Sequence, residues 1–396
     1  MDSSPETVYY DVIIVGGGVA GCAAALTLFH SNPGASVLIL DDADPGVFKI
    51  GESLPAAAKQ ILTYLSPDLL QRLSGDGHER AYIKCTGNAS AWGSSELEET
   101  HAMMNPFGMG WHLDRACFDQ ILRDTVSSAA PDTISLVKGV FMSVDTRDDA
   151  LHWSLSASIF ESDKTRVFTS KWVVDASGRK ATVARKLGAR TIREDALLAF
   201  YAVFVSPPTT EDQDFRTVIE ASESGWWYSS PLPSNRRVVA YHTDDSNPTS
   251  RDARKQDGFI NLLHTNTQHI SQLITSGGYD ILVHGDAKYP VCTAAGSARL
   301  EPPCGVSVSS EAKWIAVGDA AMAFDPLSSQ GMITALKMGC FVGDVIARDL
   351  LAAGSDDPTS IFQKVYSQAW SKYDEEKQYF YAQEKRFDGE FWRARK

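Results

Sequence analysis

The sequence predicts an α/β protein in which a domain with a parallel sheet is interrupted by a smaller β-rich domain and followed by a helical segment. Two distant stretches, residues 10–41 and 313–350, each pass from a short apolar strand through a glycine-containing turn into a helix. Between them lie several runs typical of strands, and the tail after residue 351 is helical in composition. Strand-turn-helix units at both ends therefore indicate one domain with the β-rich part inserted.

The composition is that of an ordinary globular protein, with 43% hydrophobic and 22% charged residues among 396. The net charge of −13 argues against nucleic acid or an anionic membrane as main partner, because both attract a basic face. The six cysteines include no CxxC pair, which predicts a reducing, cytoplasmic location and no metal site. The apolar stretch 12–29 contains a glycine turn, so we interpret it as strand and helix rather than a membrane span.

The pattern of apolar residues and turns predicts the elements in order. The first unit is a strand at 11–15, a helix at 20–29 and a strand at 37–40. Helices follow at about 56–64, 116–126, 259–275 and 331–350, strands within 134–175, at 197–205, 225–233 and 236–244 and near 281–283, and an irregular stretch at 85–111. We therefore predict a discontinuous nucleotide-binding domain (8–82, 106–186 and 305–350), a β-rich substrate domain (83–105 and 187–304) and a C-terminal helical strap (351–396).

The turn after the first strand carries the spacing Gly16-x-Gly18-x-x-Gly21. Gly16 permits the tight turn, Gly18 lets a diphosphate approach the backbone, and Gly21 allows the helix to pack closely on the strand. The helix that begins near Val19 and Ala20 would offer its free N–H groups to the phosphates. Asp41, twenty residues beyond Gly21, or its neighbour Asp42, is predicted to accept hydrogen bonds from a ribose. The motif predicts a Rossmann-type dinucleotide site without distinguishing FAD from NAD.

Further motifs follow in order: "GESLP" at 51–55, "WGS" at 92–94, "GWHLDRACFD" at 110–119, "VVDASGR" at 173–179, "GWWYSSPLP" at 225–233 and "GDAAMAFDPLSSQGM" at 318–332. With the glycine motif they resemble the FAD-dependent aromatic hydroxylases and the tryptophan-halogenase-like flavoproteins. The nearest resemblance is to the subgroup that matures tryptophylquinone cofactors, the LodB- and GoxB-like proteins. The resemblance covers roughly residues 10–340, and it implies the two-domain hydroxylase (GR2) fold with FAD as cofactor.

The position of Arg115 ahead of a helix suggests a guanidinium beside the diphosphate, where its planar fork suits phosphate oxygens. The resemblance implies that Asp319 binds a ribityl hydroxyl of FAD and that Pro326 lies beside the flavin ring. Backbone N–H groups near Gly331 and Met332 would face the ring edge that becomes negative on reduction. The other predicted FAD-site positions are Glu52, Ser53, Asp175, Gly178, Gly318 and Ser329.

Only one dinucleotide motif is recognisable in the sequence, so electrons would come from transiently docked NAD(P)H, from a separate flavin reductase or from the substrate itself. We expect an FAD-dependent monooxygenase that uses O2, through a flavin C4a-hydroperoxide, to oxidise a small aromatic or amine-bearing secondary metabolite. A halogenase is the first alternative. Lys84, eight residues before Trp92, stands about where the halogenases of this family carry a lysine.

Other positions depart from the halogenase pattern. "GWWYSSP" has Tyr228 and Ser230 where tryptophan halogenases have the second Trp and the Ile of Trp-x-Trp-x-Ile-Pro, and Ser328 replaces their glutamate. Tryptophan halogenation is therefore disfavoured, and phenol-type halogenation stays open. A second alternative is a maturation flavoprotein that modifies a tryptophan of a partner polypeptide.

Several side chains are candidates for catalysis and substrate binding. His112 and His242 could transfer protons, because imidazole titrates near neutral pH. The aromatic residues Trp92, Trp226, Trp227 and Tyr228 could line a pocket for a planar group. We therefore predict Lys84, His112, Tyr228 and His242 as catalytic residues, with the four aromatic residues as the substrate pocket.

Overall fold

The computed structural model of the chain describes residues 7–44, 47–73, 81–146, 152–207, 214–282, 289–306, 311–352 and 357–396. Its first sheet has a parallel core, because strands linked through helices run in the same direction. The parallel strands lie in the order Ile134–Thr146, Val37–Asp41, Thr7–Val15, Lys164–Asp175 and Lys313–Ala316. Cys304–Val306 pairs antiparallel with Lys313–Ala316 at the edge. Trp153–Ile159 pairs antiparallel with both Ile134–Thr146 and Lys164–Asp175.

Two helices from opposite ends of the chain, Val19–Ser31 and Gly331–Leu350, pack against each other on this sheet. Their contact depends on small residues. A Cβ atom at Gly339 would lie 2.5 Å from the carbonyl oxygen of Ala20, closer than real side chains approach. This contact brings the glycine turn at the front of the chain next to the turn at residue 331.

The second sheet is mostly antiparallel. Its strands lie in the order Asp280–Ile281, Leu197–Val205, Arg236–Asp244, Gly225–Leu232, Arg216–Ser222, Gly87–Ala91 and Glu98–His101, and Val291–Ala294 also pairs with Leu197–Val205. Alternate residues of a strand face opposite sides of a sheet. One side packs against the helices Thr249–Ala253, Gln256–Asn266 and His269–Ser276, and the other side faces the first sheet's domain.

Shorter elements connect the two sheets. One small sheet pairs Ser53–Leu54, Gly110–Leu113 and Tyr82–Cys85, and another pairs Arg190–Arg193, Ala298–Glu301 and Met322–Ala323. The remaining α-helices are Ala58–Leu65, Leu69–Leu73, Arg115–Ala129, Thr182–Lys186, Pro358–Gln383 and Glu390–Arg393, with 3-10 turns at Ala102–Met104, Gly178–Lys180, Gly318–Ala320 and Pro326–Ser328. Within the described ranges, no helix combines the length and apolar character needed to cross a bilayer.

The C-terminal segment contacts both sheets. The Tyr366 hydroxyl donates to the carbonyl oxygen of Ala316 in the first sheet, at 2.8 Å. Further along, the Trp392 indole donates to the carbonyl oxygen of Ser222 at 3.0 Å, and Arg395 pairs with Asp244 of the second sheet. The segment therefore runs across both layers as a strap.

Most predicted elements are confirmed, with two differences. The stretch 85–111 is not irregular throughout, because Gly87–Ala91 and Glu98–His101 join the second sheet. The single helix predicted at 259–275 is two helices, since the chain is extended at Thr267 and the buried Glu220 carboxylate accepts the N–H groups of residues 268–270. The strand near 281–283 is seen at Asp280–Ile281, and residue 283 lies outside the described residues.

Candidate cofactor and active site

One cavity of about 510 Å³ is lined by residues of the glycine turn, of the loop around residue 51, of the turn at 318–332 and of the second sheet. It brings together most of the predicted cofactor positions. The predicted residues on its walls are Gly16, Gly18, Val19, Ala20, Asp41, Asp42, Glu52, Ser53, Arg115, Gly178, Asp319, Pro326, Ser329, Gly331 and Met332. Gly21, Asp175 and Gly318 lie behind these walls.

The glycine turn has the geometry that a dinucleotide site requires. Gly16 has a φ of +113°, which side chains rarely allow. A Cβ atom at Gly21 would lie 2.0 Å from the Gly16 carbonyl oxygen, so Gly21 permits the close packing of turn and helix. At Gly18, by contrast, a Cβ atom would meet no protein atom within 4 Å, because the position opens into the cavity.

Two helix N-termini lie on the cavity walls without a side-chain cap. These are the starts of Val19–Ser31 and Gly331–Leu350, where the structure records no capping side chain. Two other long helices, Arg115–Ala129 and Pro358–Gln383, are capped by aspartates. Uncapped N–H groups that face a cavity can donate hydrogen bonds to a ligand. The start of Val19–Ser31 would suit an anion, and the start of Gly331–Leu350 would suit an electron-rich ring edge. The cavity therefore fits FAD, whose diphosphate and ring need these two features.

Charged side chains surround the front of the cavity. The Asp41 carboxylate accepts the Gly17 N–H at 3.0 Å and lies 3.6 Å from Arg123. Arg115 donates to Asp119 and to the carbonyl oxygen of Gly51. The sequence did not point to Lys49, Asp119 and Arg179, which lie on the cavity wall, or to Arg123, which is buried behind Asp41. Asp119 and Arg179 stood within quoted motifs, whereas Lys49 and Arg123 carried no sequence signal.

At the rear of the cavity, Asp319 is exposed and its carboxylate lies 3.7 Å from the Arg179 guanidinium. Asp175, predicted to bind cofactor, instead holds its own turn, because its two oxygens accept from Ser177, Val183 and Ala184. Burial raises the pKa of Asp175. Its place in the motif reflects a structural requirement of the turn.

A hydrogen-bonded cluster at the cavity wall joins the two domains. The Glu52 carboxylate is buried and accepts hydrogen bonds from the hydroxyls of Tyr228 and Ser230, the latter at 2.6 Å. The Tyr228 hydroxyl also lies 2.7 Å from Ser53 Oγ. Burial and the neighbouring carboxylate raise the pKa of Tyr228 well above its ordinary value, so this phenol stays protonated at neutral pH.

His112 lies behind this cluster and Lys84 faces away from it. His112 is fully buried, with Nδ1 3.4 Å from Ser53 Oγ and Nε2 3.1 Å from the Phe215 carbonyl oxygen. In the small sheet Ile83 pairs with His112 and Lys84 pairs with Trp111. Because neighbouring residues of a strand point to opposite sides, Lys84 projects away from Ser53 and is exposed. The structure does not bring Lys84 or His112 to the cavity wall.

The predicted aromatic pocket is divided by strand alternation. Tyr228 and His242 line the cavity, and Trp226 lies one layer behind, stacked on the His242 ring at 3.7 Å. Trp227 points to the other side of the sheet, where it stacks on Tyr241. Trp92 packs against Trp392 of the C-terminal segment and donates to the Phe380 carbonyl oxygen. Of the four predicted pocket residues, only Tyr228 lines the cavity.

The rear turn is tied to the C-terminal segment through Asp325, which lies on the cavity wall. The Tyr381 hydroxyl donates to Asp325 Oδ2 at 2.8 Å and accepts the Trp226 indole N–H at 3.0 Å. Burial raises the pKa of Asp325 to about 6. A change in the C-terminal segment can thus alter the position of Asp325 in the rear turn and of the Trp226 ring behind His242.

We expect Glu52→Leu to lower the unfolding free energy of the apoprotein by about 2–4 kcal/mol, because the buried Ser230 hydroxyl loses its acceptor and the Tyr228 hydroxyl keeps only Ser53 Oγ as a partner. Urea unfolding measures this change. Adding Tyr228→Phe and Ser230→Ala to Glu52→Leu should recover more than half of the loss, since the two hydroxyls that had bonded to this carboxylate are then removed. A triple variant no more stable than Glu52→Leu would contradict the assigned hydrogen bonds.

Acid should destabilise the fold through His112. Burial lowers the pKa of His112 to about 4, below the ordinary value of about 6.5 that applies in the unfolded chain. The unfolded state therefore binds this proton first, so stability is full above pH 6.5 and falls by up to about 1.4 kcal/mol per pH unit down to pH 4. Urea unfolding at pH 7, 6 and 5 should show a shallower decline for His112→Asn than for the wild type. Parallel declines would exclude His112 as the source.

A sequence model of the tryptophan halogenase family matches residues 71–396. The chain belongs to the tryptophan halogenase family. A relative from Marinomonas mediterranea, LodB, named as an FAD-dependent oxidoreductase, is 30% identical over 391 residues, which are 98% of this chain and 96% of the relative. The 1H-pyrrole-2-carbonyl-[peptidyl-carrier protein] brominase of Pseudoalteromonas luteoviolacea is 24% identical and covers 85% of this chain and 77% of its own.

A solved structure extends the likeness to the fold. The myxobacterial chondrochloren halogenase CndH superposes with a TM-score of 0.81 at 20% identity, over 98% of this chain and 86% of the other. Membership of the tryptophan halogenase family, together with the fit of the cavity, confirms the predicted fold class, the prediction of an enzyme and FAD as its cofactor. The domain boundaries and the roles of individual residues stay predictions.

Proposed function

We propose that the protein is an FAD-dependent monooxygenase that acts on a small aromatic or amine-bearing metabolite. In the overall reaction, substrate, O2, NAD(P)H and a proton give hydroxylated substrate, water and NAD(P)+. One oxygen atom forms the new C–O or N–O bond, and the other leaves as water. The electrons reach FAD from NAD(P)H directly or through a separate flavin reductase, and bound FAD supplies the activation of O2.

One observation carries this proposal. Tyr228 and His242 lie on the cavity wall, whereas Lys84, which occupies the position suggestive of a halogenase lysine, faces away from the cavity and is exposed. A side chain that directs a halogen–oxygen species has to lie near the reacting atoms. The arrangement therefore favours oxygen transfer.

The chain's own residues have separable tasks in this proposal. The uncapped helix starts at Gly18 and Gly331, with Arg115, would bind the diphosphate and the ring edge of FAD. The Glu52 carboxylate fixes the Tyr228 hydroxyl at the wall where the two domains meet. The second sheet also presents the small apolar side chains of Ala199 and Ala294 on that wall. Contact between them and the substrate would displace water, which protects reactive oxygen species from hydrolysis.

Halogenation is the second candidate, and the family match together with the brominase relative favours it. The variant Lys84→Ala separates the two chemistries. Under the proposal it should oxidise substrate at the wild-type rate, since Lys84 lies off the cavity. Halide incorporation that depends on Lys84 would instead support the halogenase. Modification of a tryptophan in a partner polypeptide, and a cytoplasmic location, stay predictions.

The proposal is tested by isotope labelling. FAD-loaded enzyme is reduced in the absence of oxygen. It is then mixed with 18O2 and a panel of indoles, phenols and anilines in the presence of chloride or bromide. The masses of the products are measured by mass spectrometry. We expect one 18O atom in the organic product. A halogenated product without 18O would establish halogenation, and hydrogen peroxide as the only oxygen product would establish an oxidase.

A further inference from the structure

Thr293 presents its side chain to the cavity from a short strand of the second sheet. It lies in Val291–Ala294, pairs with Ala199 of the neighbouring strand and lines the cavity. The preceding residue, Cys292, packs on the side of the sheet that the helices cover. Because successive side chains of a strand point to opposite sides, the side chain of Thr293 lies on the cavity side. The residue is partly exposed.

The Thr293 hydroxyl has hydrogen-bonding capacity that the protein leaves unused. Within the described ranges it makes no hydrogen bond, and it is not among the buried polar atoms that lack a partner, so a ligand can reach it. Two other polar side chains of this sheet on the wall are already engaged. The Tyr228 hydroxyl is bonded to Glu52. The His242 ring is hydrogen-bonded to the Trp226 backbone, and its Nδ1 atom is buried. Thr293 therefore offers a ligand a hydroxyl that those two residues do not.

Arg179 holds the end of this strand next to the rear turn. Its guanidinium donates to the carbonyl oxygen of Ala295, directly after the strand, at 3.3 Å, and to that of Phe324 in the rear turn at 3.1 Å. Thr293 stands two residues before Ala295, which is about 7 Å along a strand. Pro326, predicted to lie beside the flavin ring, stands two residues after Phe324. A ligand group bound to Thr293 would therefore lie close to the reacting end of the cofactor.

The chemistry of this part of the wall indicates which kind of molecule fits it. A threonine hydroxyl carries one proton and two lone pairs, so it can both donate and accept a hydrogen bond. The side chains of Ala199 and Ala294 on the same wall are small and apolar. Such a wall suits a molecule that is apolar apart from one polar substituent.

We propose that the Thr293 hydroxyl binds the polar substituent of the substrate, an N–H or O–H group on an aromatic ring as in a phenol, an aniline or an indole. This inference rests on the proposed function, which it deepens by naming the substrate group that is recognised and the residue that recognises it. By fixing this substituent, Thr293 determines which atom of the substrate faces the flavin.

The test is a cycle of binding measurements on the oxidised, FAD-loaded enzyme. Calorimetry gives the dissociation constants of phenol and aniline, each against toluene, and of indole against indene. The variant Thr293→Val removes the hydroxyl and keeps the branched shape that a strand favours, so it should fold. Relative to the wild type, its preference for the polar member of a pair should fall about fivefold. Thr293→Ser restores a hydroxyl and should stay within twofold of the wild-type preference.

Thr191→Val is the matched control, because Thr191 is an exposed threonine of the strand Arg190–Arg193 and is not on the cavity wall. It should leave the preference unchanged. The inference is wrong if none of the polar probes binds the wild type, or if Thr293→Val keeps the wild-type preference for every pair. It is equally wrong if Thr293→Val weakens FAD binding while the preference persists, since the hydroxyl would then serve the cofactor.

These binding measurements involve no turnover. An enzyme whose preference for polar probes depends on Thr293 but that incorporates no 18O would therefore retain this inference and overturn the proposed function. The converse result, 18O incorporation with a preference that does not depend on Thr293, would overturn only the inference.

Discussion

Gly18→Val should give a protein that folds normally and binds FAD at least about 100-fold more weakly than the wild type. The backbone at Gly18 has φ −84° and ψ −168°, an extended conformation open to any residue. The new side chain would meet no protein atom, so we expect the unfolding free energy of the apoprotein to change by less than about 1 kcal/mol. The side chain would instead fill the space in which the diphosphate meets the helix start.

Two matched variants serve as controls for the loss of FAD affinity in Gly18→Val. Gly34→Val, at an exposed loop position with open surroundings, should leave FAD affinity unchanged. Gly21→Ala should lose FAD together with stability, because its Cβ atom would lie 2.0 Å from the Gly16 carbonyl oxygen. Fluorescence titration with FAD and urea unfolding separate the two kinds of loss. A Gly18→Val protein with wild-type FAD affinity would show that the diphosphate lies elsewhere.

Trp392→Ala should lower the unfolding free energy by about 3–5 kcal/mol, the cost usual for removing a fully buried tryptophan. The indole of Trp392 is 0% exposed and packs against Trp92, Tyr381 and Phe391. Its N–H donates to the carbonyl oxygens of Ser222 and Glu223, which would lose this donor. Urea unfolding of the apoprotein measures the loss.

Tyr379→Ala is the matched control, since this ring lies in the same C-terminal segment and is 64% exposed. It should change stability by less than about 0.5 kcal/mol. If Trp392→Ala and Tyr379→Ala are equally mild, the end of the segment contributes little to the fold.

The cofactor half of the site was predictable from the sequence because local backbone rules govern it. A tight turn, a close helix and an open helix start each require glycine at a fixed spacing, so Gly16, Gly18 and Gly21 identify the site without knowledge of the fold. The turn at 318–332 was assigned by resemblance, and the cavity contains Asp319, Pro326 and Gly331 as that resemblance implied.

The substrate half was less predictable because it depends on which way strands face. Alternation alone places Trp226 and Trp227 on opposite sides of a sheet, but only the packing of the helices on one side tells which ring lies on the side of the cavity, and there His242 stands between Trp226 and the cavity. The pairing of Lys84 with Trp111 determines which side of the small sheet the lysine side chain faces. No spacing in the sequence reveals this pairing. The Arg395–Asp244 pair helps to hold the strap and joins residues 151 positions apart, so it could not be predicted from the sequence either.

The glycine-mediated contact between the helices Val19–Ser31 and Gly331–Leu350 has a consequence for biosynthesis. A growing polypeptide makes the diphosphate half of the cavity early, but lacks the opposite wall until ribosomes have translated more than 300 further residues. Coenzyme capture must therefore come late, after synthesis of the second helix. Cells starved of riboflavin should accordingly accumulate full-length, colourless chains that turn yellow when the vitamin is restored, without any new translation.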